Sequence, residues 1–307
     1  MIQKIINILY RHPRSAYRTF KHFGGLLSYQ KMKKERKEMQ KQAGLLPPVT
    51  SYPDGLNIYF LTGKKYLYQT LFCIQSLTRV SQQHYHFTLI DDGSFDHSLI
   101  EQAKLKLPGC HILLSKEIED NLKLCLPEHQ YPKLHHKRRI YPHLKKLTDI
   151  HTLPGNKWRL VLDSDMLFWQ EPRAMNAWLK SPRQPLFMRD CKAAYGYSKS
   201  LMEKCAGGRI QPLLNVGAVG LTAEMIDWAA IENWIEVMEA EEGTSYFLEQ
   251  ALSAMIVGAT QSLILPAQDY LVNPTARQLN HKQGILHHYV DLSKKHYYTE
   301  AWRKIIL

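Results

Sequence analysis

A chain of 307 residues with 45% hydrophobic side chains can bury a sizeable core, which excludes a disordered or fibrous protein. Its formal net charge of +12 sits mostly at one end: residues 1–46 hold 11 Lys and Arg against two Glu, a net of +9, and the other 261 residues carry only +3. The charge therefore belongs to an appendage, and the body calls for no nucleic-acid partner.

The five cysteines are an odd number, widely spaced and without a C-x-x-C pair, which argues against a disulfide framework and against a zinc site. A reducing, cytoplasmic setting fits them best. No apolar run reaches the ~20 residues of a membrane span, and Lys4, Arg11, His12 and Arg14 interrupt any signal-peptide core.

In chain order, Ile2, Ile5, Ile6 and Leu9 fall at helical spacing before Pro13, and Lys31 to Lys41 reads as a charged helix. Such a segment can dock peripherally on an anionic membrane or lie as a solvated helix against the body. Leu45-Leu46-Pro47-Pro48 and Tyr52-Pro53-Asp54-Gly55 read as a linker, which divides the chain into a basic helical extension, 1–46, and a domain, 47–307.

The domain opens with a strand from Leu56 that ends near Thr62 and Gly63, a helix over Tyr66 to Leu77, and a second strand, His86 to Ile90. That spacing predicts a parallel β-α-β unit. Asp91 and Asp92 close the second strand, where a carboxylate can bond a ribose or base or simply build the Asp-Gly-Ser turn. Neither G-x-G-x-x-G nor a P-loop sequence is present. A helix over Asp96 to Lys106, a strand at His111 to Leu114 and a helix over Leu144 to Leu153 follow. At the start of that last helix lies a cation cluster, Lys137 to Lys146; such clusters are usually solvated, and at most one member, taken as Lys145, is expected to face a diphosphate.

Leu160-Val161-Leu162 is a short apolar strand that ends in Asp163-Ser164-Asp165. Because side chains on a strand alternate, the two carboxylates can point the same way at a sheet edge where α/β folds bind ligands. They form a candidate site for Mg²⁺ or Mn²⁺. A strand over Pro185 to Arg189 leads into Asp190, and Leu213 to Leu221 is another apolar strand whose glycines allow close backbone approach. A buried helix spans Ser245 to Val257, with Glu249 and Gln250 near its start, and a last strand runs Ile285 to Val290.

Taken together, Ile58, Leu162-Asp163-Ser164-Asp165, Asn215-Val216-Gly217, Glu249-Gln250 and the His288/Lys294 pair resemble the nucleotide-sugar glycosyltransferases of the GT-A fold, in particular the glycogenin-like family eight. The chain departs from that family at Asp291, at Lys295-His296 and in having Glu249 where Asp is usual. The resemblance implies an α/β fold with a mostly parallel central sheet flanked by helices. It implies a metal, Mn²⁺ or else Mg²⁺, on Asp163, Asp165 and His288. Substrate contacts are expected from Thr62, Asp91, Asp92, Lys145, Asp163, Asn215, Gly217 and Lys294. Gln250, Glu249 and Asp190 are then the catalytic candidates, in a retaining transfer from a nucleoside diphosphate sugar to a glycan, lipid-linked or small-molecule acceptor. A haloacid-dehalogenase-like phosphohydrolase also ends a strand in D-x-D, and a sugar-nucleotide-binding protein without turnover would share the site. Glu249 would be the base if the reaction inverted.

Overall fold

The computed structural model describes residues 12–155 and 158–306; the helix expected at Ile2 to Leu9 lies outside them. Two helices come first, α1 (His12–His22) and α2 (Leu26–Ala43). Strand β1 (Leu56–Thr62) is followed by α3 (Leu67–Val80), β2 (Tyr85–Asp91), α4 (His97–Lys106) and β3 (His111–Leu113). The expected β-α-β unit forms: β1 and β2 are parallel, in register from Leu56 opposite Tyr85 to Thr62 opposite Asp91. The chain then crosses back through α5 (Ser115–Cys125), α6 (Pro132–Ile140) and α7 (Lys145–His151) to β4 (Trp158–Leu162), on the other side of β1.

The central sheet has seven strands in the order β3-β2-β1-β4-β7-β6-β8, where β6 is Leu186–Arg189, β7 Leu214–Thr222 and β8 Leu263–Leu265. It is mostly parallel, with β7 antiparallel to both β4 and β6. Alternation divides the strands between two cores: Phe60, Leu160 and Leu162 face one, Tyr59 and Val161 the other. Strands buried on both faces need near-continuous apolar sequence, which is why the run at Leu160–Leu162 reads so clearly.

A second sheet was not anticipated. Met166–Phe168 forms β5, which pairs antiparallel with β10 (Leu286–His288), and β10 pairs with β9 (Tyr270–Val272). This sheet brings the end of the chain beside the end of β4.

The expected linker runs along the body. Val49 donates to the Lys106 carbonyl at 2.9 Å, Ser51 to Pro108 at 2.8 Å and Tyr52 to Tyr85 at 2.8 Å. Helix α2 buries Met32, Met39 and Ala43 in the same core as Phe72 and Trp302. Arg36 Nε donates to the Tyr68 hydroxyl at 2.7 Å, and Arg303 pairs with Glu35. No helix among the described residues is long and apolar enough to cross a membrane.

Candidate active site and metal centre

The site grows from the end of β4. Asp163 to Asp165 is a bend between β4 and β5, so the two carboxylates converge because the chain turns there, not by strand alternation as the sequence suggested. Backbone bonds hold the bend from both sides: the Asp163 amide donates to Gly217 at 2.7 Å, and the Tyr289 amide donates to Asp165 at 2.9 Å. Ser164 is 2.9 Å from the Thr70 hydroxyl, which donates to Thr62 at 2.9 Å. Thr62, expected at the substrate, is fully buried and supports the bend instead.

His288 completes the cluster. Its Nε2 stands 3.5 Å from Asp163 Oδ2 and 3.4 Å from Asp165 Oδ1, and candidate ligand atoms of the three residues lie within 4.8 Å of one another. The ring is 3% exposed, and the only partners of its Nε2 among the described residues are these two carboxylates. Its Nδ1 is 2.9 Å from Asn215 Oδ1. Asn215 cannot be turned around: its Oδ1 also accepts from the Gly217 amide at 2.9 Å, while its Nδ2 donates to Asp190 at 2.9 Å. Nδ1 is therefore the protonated nitrogen in the neutral ring, and the Nε2 lone pair faces the two carboxylates. Two carboxylates and one imidazole lone pair fit a divalent transition metal. Gly217 acts through the side chain it lacks, since a Cβ there would lie 2.4 Å from the His288 ring.

Electrostatics agree with a cation site. Burial by itself would raise the Asp163 pKa, but Lys146 and His288 outweigh it and hold the carboxyl below its ordinary value. Burial opposes charge on His288 too, yet Asp163 and Asp165 raise it to about 9 in the metal-free chain. Lys294 Nζ lies 3.6 Å from Asp165 Oδ2, the contact that chiefly raises its pKa.

The lysine of the cluster that reaches the carboxylates is Lys146, next to the Lys145 expected at a diphosphate. Lys145 donates to the Asp92 carbonyl at 2.7 Å, whereas its neighbour Lys146 reaches Asp163 Oδ1 at 2.7 Å and Glu249 Oε1 at 3.1 Å. The rest of that cluster is tied up in ion pairs: Lys137 with Glu239, Arg138 with Glu119 and Asp149, and Arg139 with Glu128. Glu239 sits on α10 (Trp228–Glu242), which follows α8 (Arg173–Lys180) and α9 (Lys199–Ala206).

Glu249 and Gln250 open α11 (Leu248–Val257) and point to different partners. Burial first, with Asp163 adding to it and Lys146 opposing, raises Glu249 to about 7. Gln250 Nε2 donates to Asp190 Oδ2 at 3.0 Å, so Asp190 gathers Gln250 and Asn215 on one oxygen. Asp91, a candidate for ribose, spends its carboxylate within the protein: Oδ1 accepts from the amides of Gly93, Ser94 and Phe95, and Oδ2 from the amide and hydroxyl of Ser115. Asp92 accepts from Ser94 and lies so close to Gly63 that a Cβ there would be 2.0 Å from its Oδ1.

No family model and no curated protein matches the sequence. Among solved structures, the chain is similar to mouse xyloside xylosyltransferase 1 in its apo form, at 11% identity and a TM-score of 0.51 over 78% of this chain and 97% of that one. It is similar as well to the galactosyltransferase LgtC in complex with donor and acceptor sugar analogs, at 12% identity and a TM-score of 0.53 over 81% and 95% of the two chains. An active-site mutant of LgtC gives 13% identity and a TM-score of 0.50 over 76% and 86%. At these identities the likeness is one of fold: the chain has the GT-A glycosyltransferase fold.

Proposed function

We propose that this protein transfers a sugar from a nucleoside diphosphate sugar to an acceptor hydroxyl, with a divalent cation held by Asp163, Asp165 and His288. The observation that carries this reading is the buried Nε2 of His288, 3.4–3.5 Å from two carboxylates at the end of a central strand of a GT-A fold. Imidazole in the donor set favours Mn²⁺ over Mg²⁺. When bound, the cation supplies positive charge against the departing diphosphate.

The chain's own residues have separate tasks. Asn215 fixes the His288 tautomer, Lys146 keeps Asp163 ionised, and Lys294 offers a second positive charge where the β-phosphate develops its negative charge. Asp190 holds the Gln250 amide nitrogen, which leaves the amide oxygen for the sugar in this reading. Glu249 is engaged by Lys146, which leaves it poorly placed to serve as a base for an incoming hydroxyl and supports retention of configuration. The acceptor is a glycan, a lipid-linked sugar or a small molecule. Five free cysteines support a reducing cytoplasm, and the N-terminal cations support peripheral attachment to its membrane face.

The test is a panel of nucleoside diphosphate sugars incubated with and without Mn²⁺, alongside Asp165→Asn. Mn²⁺-dependent cleavage of one donor, lost in the variant at unchanged melting temperature, is the expected result. Full activity in Asp165→Asn would overturn the metal assignment, and donor binding without cleavage would leave a sugar-nucleotide-binding protein. Proton NMR of the fresh product reads the anomeric configuration; inversion combined with inactivity of Glu249→Gln would make Glu249 the base.

A further inference from the structure

The cations of the N-terminal segment have a definite place on the molecule. At about 100° per residue, Leu27, Lys31, Lys34, Lys37 and Lys41 fall within an arc of about 120° on α2. All five are exposed, and the opposite face carries the buried Met32, Met39 and Ala43. The four lysines make no ion pair among the described residues. The helix's two acidic residues are partnered elsewhere, Glu35 by Arg303 and Glu38 by Gln42.

The stripe begins at the rim of the site. Gly24 and Gly25, at φ +84° and +98°, turn the chain between α1 and α2. The turn leaves Leu26 49% and Leu27 82% exposed. Just before it, His22 Nε2 lies 2.7 Å from Asp291 Oδ1, and the other oxygen of Asp291 is 3.1 Å from Lys192. Asp291 stands between His288 and Lys294 in sequence, and Lys192 follows Asp190 by two residues. Leu292, beside Asp291, is 50% exposed. A Cβ on Gly24 would lie 3.5 Å from Lys295 Nζ. Exposed leucines thus stand at one edge of the catalytic opening, at the end of the lysine face of α2.

We propose that this edge and the lysine face of α2 dock on an anionic lipid bilayer and hold the opening at headgroup level, where the sugar of a lipid-linked acceptor lies; the acceptor assignment rests on the transferase reading. Two observations favour a bilayer over a polyanion in solution. The lysines form a face rather than a groove, and leucines, which have nothing to gain from phosphates alone, stand at the end of the stripe nearest the site. Each lysine brought to an anionic surface strengthens binding about fivefold.

The test uses the full chain and phosphatidylcholine vesicles with and without phosphatidylserine. Wild type sediments with the anionic vesicles only. Lys31→Glu/Lys34→Glu/Lys37→Glu lowers that affinity by more than tenfold, and Leu26→Asn/Leu27→Asn weakens the binding that survives high salt. Orientation is read from an environment-sensitive dye on the exposed Cys191, next to Asp190, against the same dye on the exposed Cys125, whose helix α5 packs in the other core. With the other exposed cysteine replaced by Ser in each case, the dye on Cys191 shifts on vesicle binding and the dye on Cys125 does not. Equal vesicle binding by wild type and both variants, equal shifts at the two cysteines, or DNA binding as tight as vesicle binding and indifferent to the leucine variant would each overturn the proposal. Mn²⁺-dependent donor cleavage stays at the wild-type level in both surface variants. Its absence from the wild type would defeat the transferase reading and leave the docking result standing by itself.

Discussion

Asn215 accepts a hydrogen bond from His288 Nδ1 at 2.9 Å, and this contact decides which nitrogen of the imidazole is left for a metal. The same oxygen accepts from Gly217, so the ring, the strand and the amide are fixed together. In Asn215→Ala the ring loses both its orientation and its tautomer preference. Loss of such an outer partner typically weakens metal affinity by about 10–100-fold. Mn²⁺ titration followed by electron paramagnetic resonance should show that drop with little change in melting temperature. Unchanged affinity would mean that His288 is not a ligand.

Lys146 is the cation shared by Asp163 and Glu249, and its side chain is 9% exposed. Lys146→Met leaves Glu249 without its cation and Asp163 with His288 as its remaining counter-charge. Removing one partner from a buried ion pair costs about 3–5 kcal/mol. Burial already raises Glu249 to about 7, so part of that cost is relieved when it takes up a proton. The loss on Lys146→Met should therefore be larger at pH 8 than at pH 6. Lys146→Met/Glu249→Leu removes the stranded charge and should recover part of the stability. Urea denaturation of the four proteins gives the cycle. Additive effects at both pH values would show that Lys146 and Glu249 do not act as a unit.

What the sequence shows of this site follows the length scale of each signal. Asp163 and Asp165 stand at the end of an apolar run, where local pattern is enough to pick them out; Asn215, Gly217, Gln250 and His288 stand out only through the family resemblance. The contact of Lys146 with Asp163 was not legible, because neighbours on a helix point about 100° apart, and the phase of α7 is set by the turn at Pro142–Leu144, which leaves no periodic trace. Lys137 looked available because its partner, Glu239 on α10, lies about a hundred residues further on, and Arg138 and Arg139 because Glu119, Asp149 and Glu128 belong to other elements of the same crossover. Strand β5 is three residues long and exists only because β10 reaches it from the far end of the chain. Asp91 reads as a ligand or a turn residue with equal ease; only the approach of Ser115 commits its second oxygen to the loop.

The last residue of α7, His151, ties stability to pH independently of the metal cluster. It is 3% exposed, and its Nδ1 has no partner. Burial, with Arg159 nearby, lowers its pKa to about 3, so the ring is neutral in the folded chain. An unfolded histidine titrates near ~6.5. The stabilisation is fully present above that value and is lost as pH falls toward the folded pKa, because the unfolded chain takes up the proton first. Other groups tilt the same curve. His287, lowered to about 4 by burial, adds a loss of the same sign. Glu249, raised to about 7, opposes it as pH falls. The raised pKa of His288 contributes stability that is complete below ~6.5 and lost as pH rises through about 9, so it adds no slope on the acid side. A comparison with His151→Gln cancels these shared terms. Between pH 6 and pH 4.5 the stability of wild type relative to the variant should fall by roughly 1 kcal/mol per pH unit. Urea denaturation across that range, without added metal, measures the difference directly. A flat difference would mean that His151 reaches solvent or a proton acceptor in the folded chain.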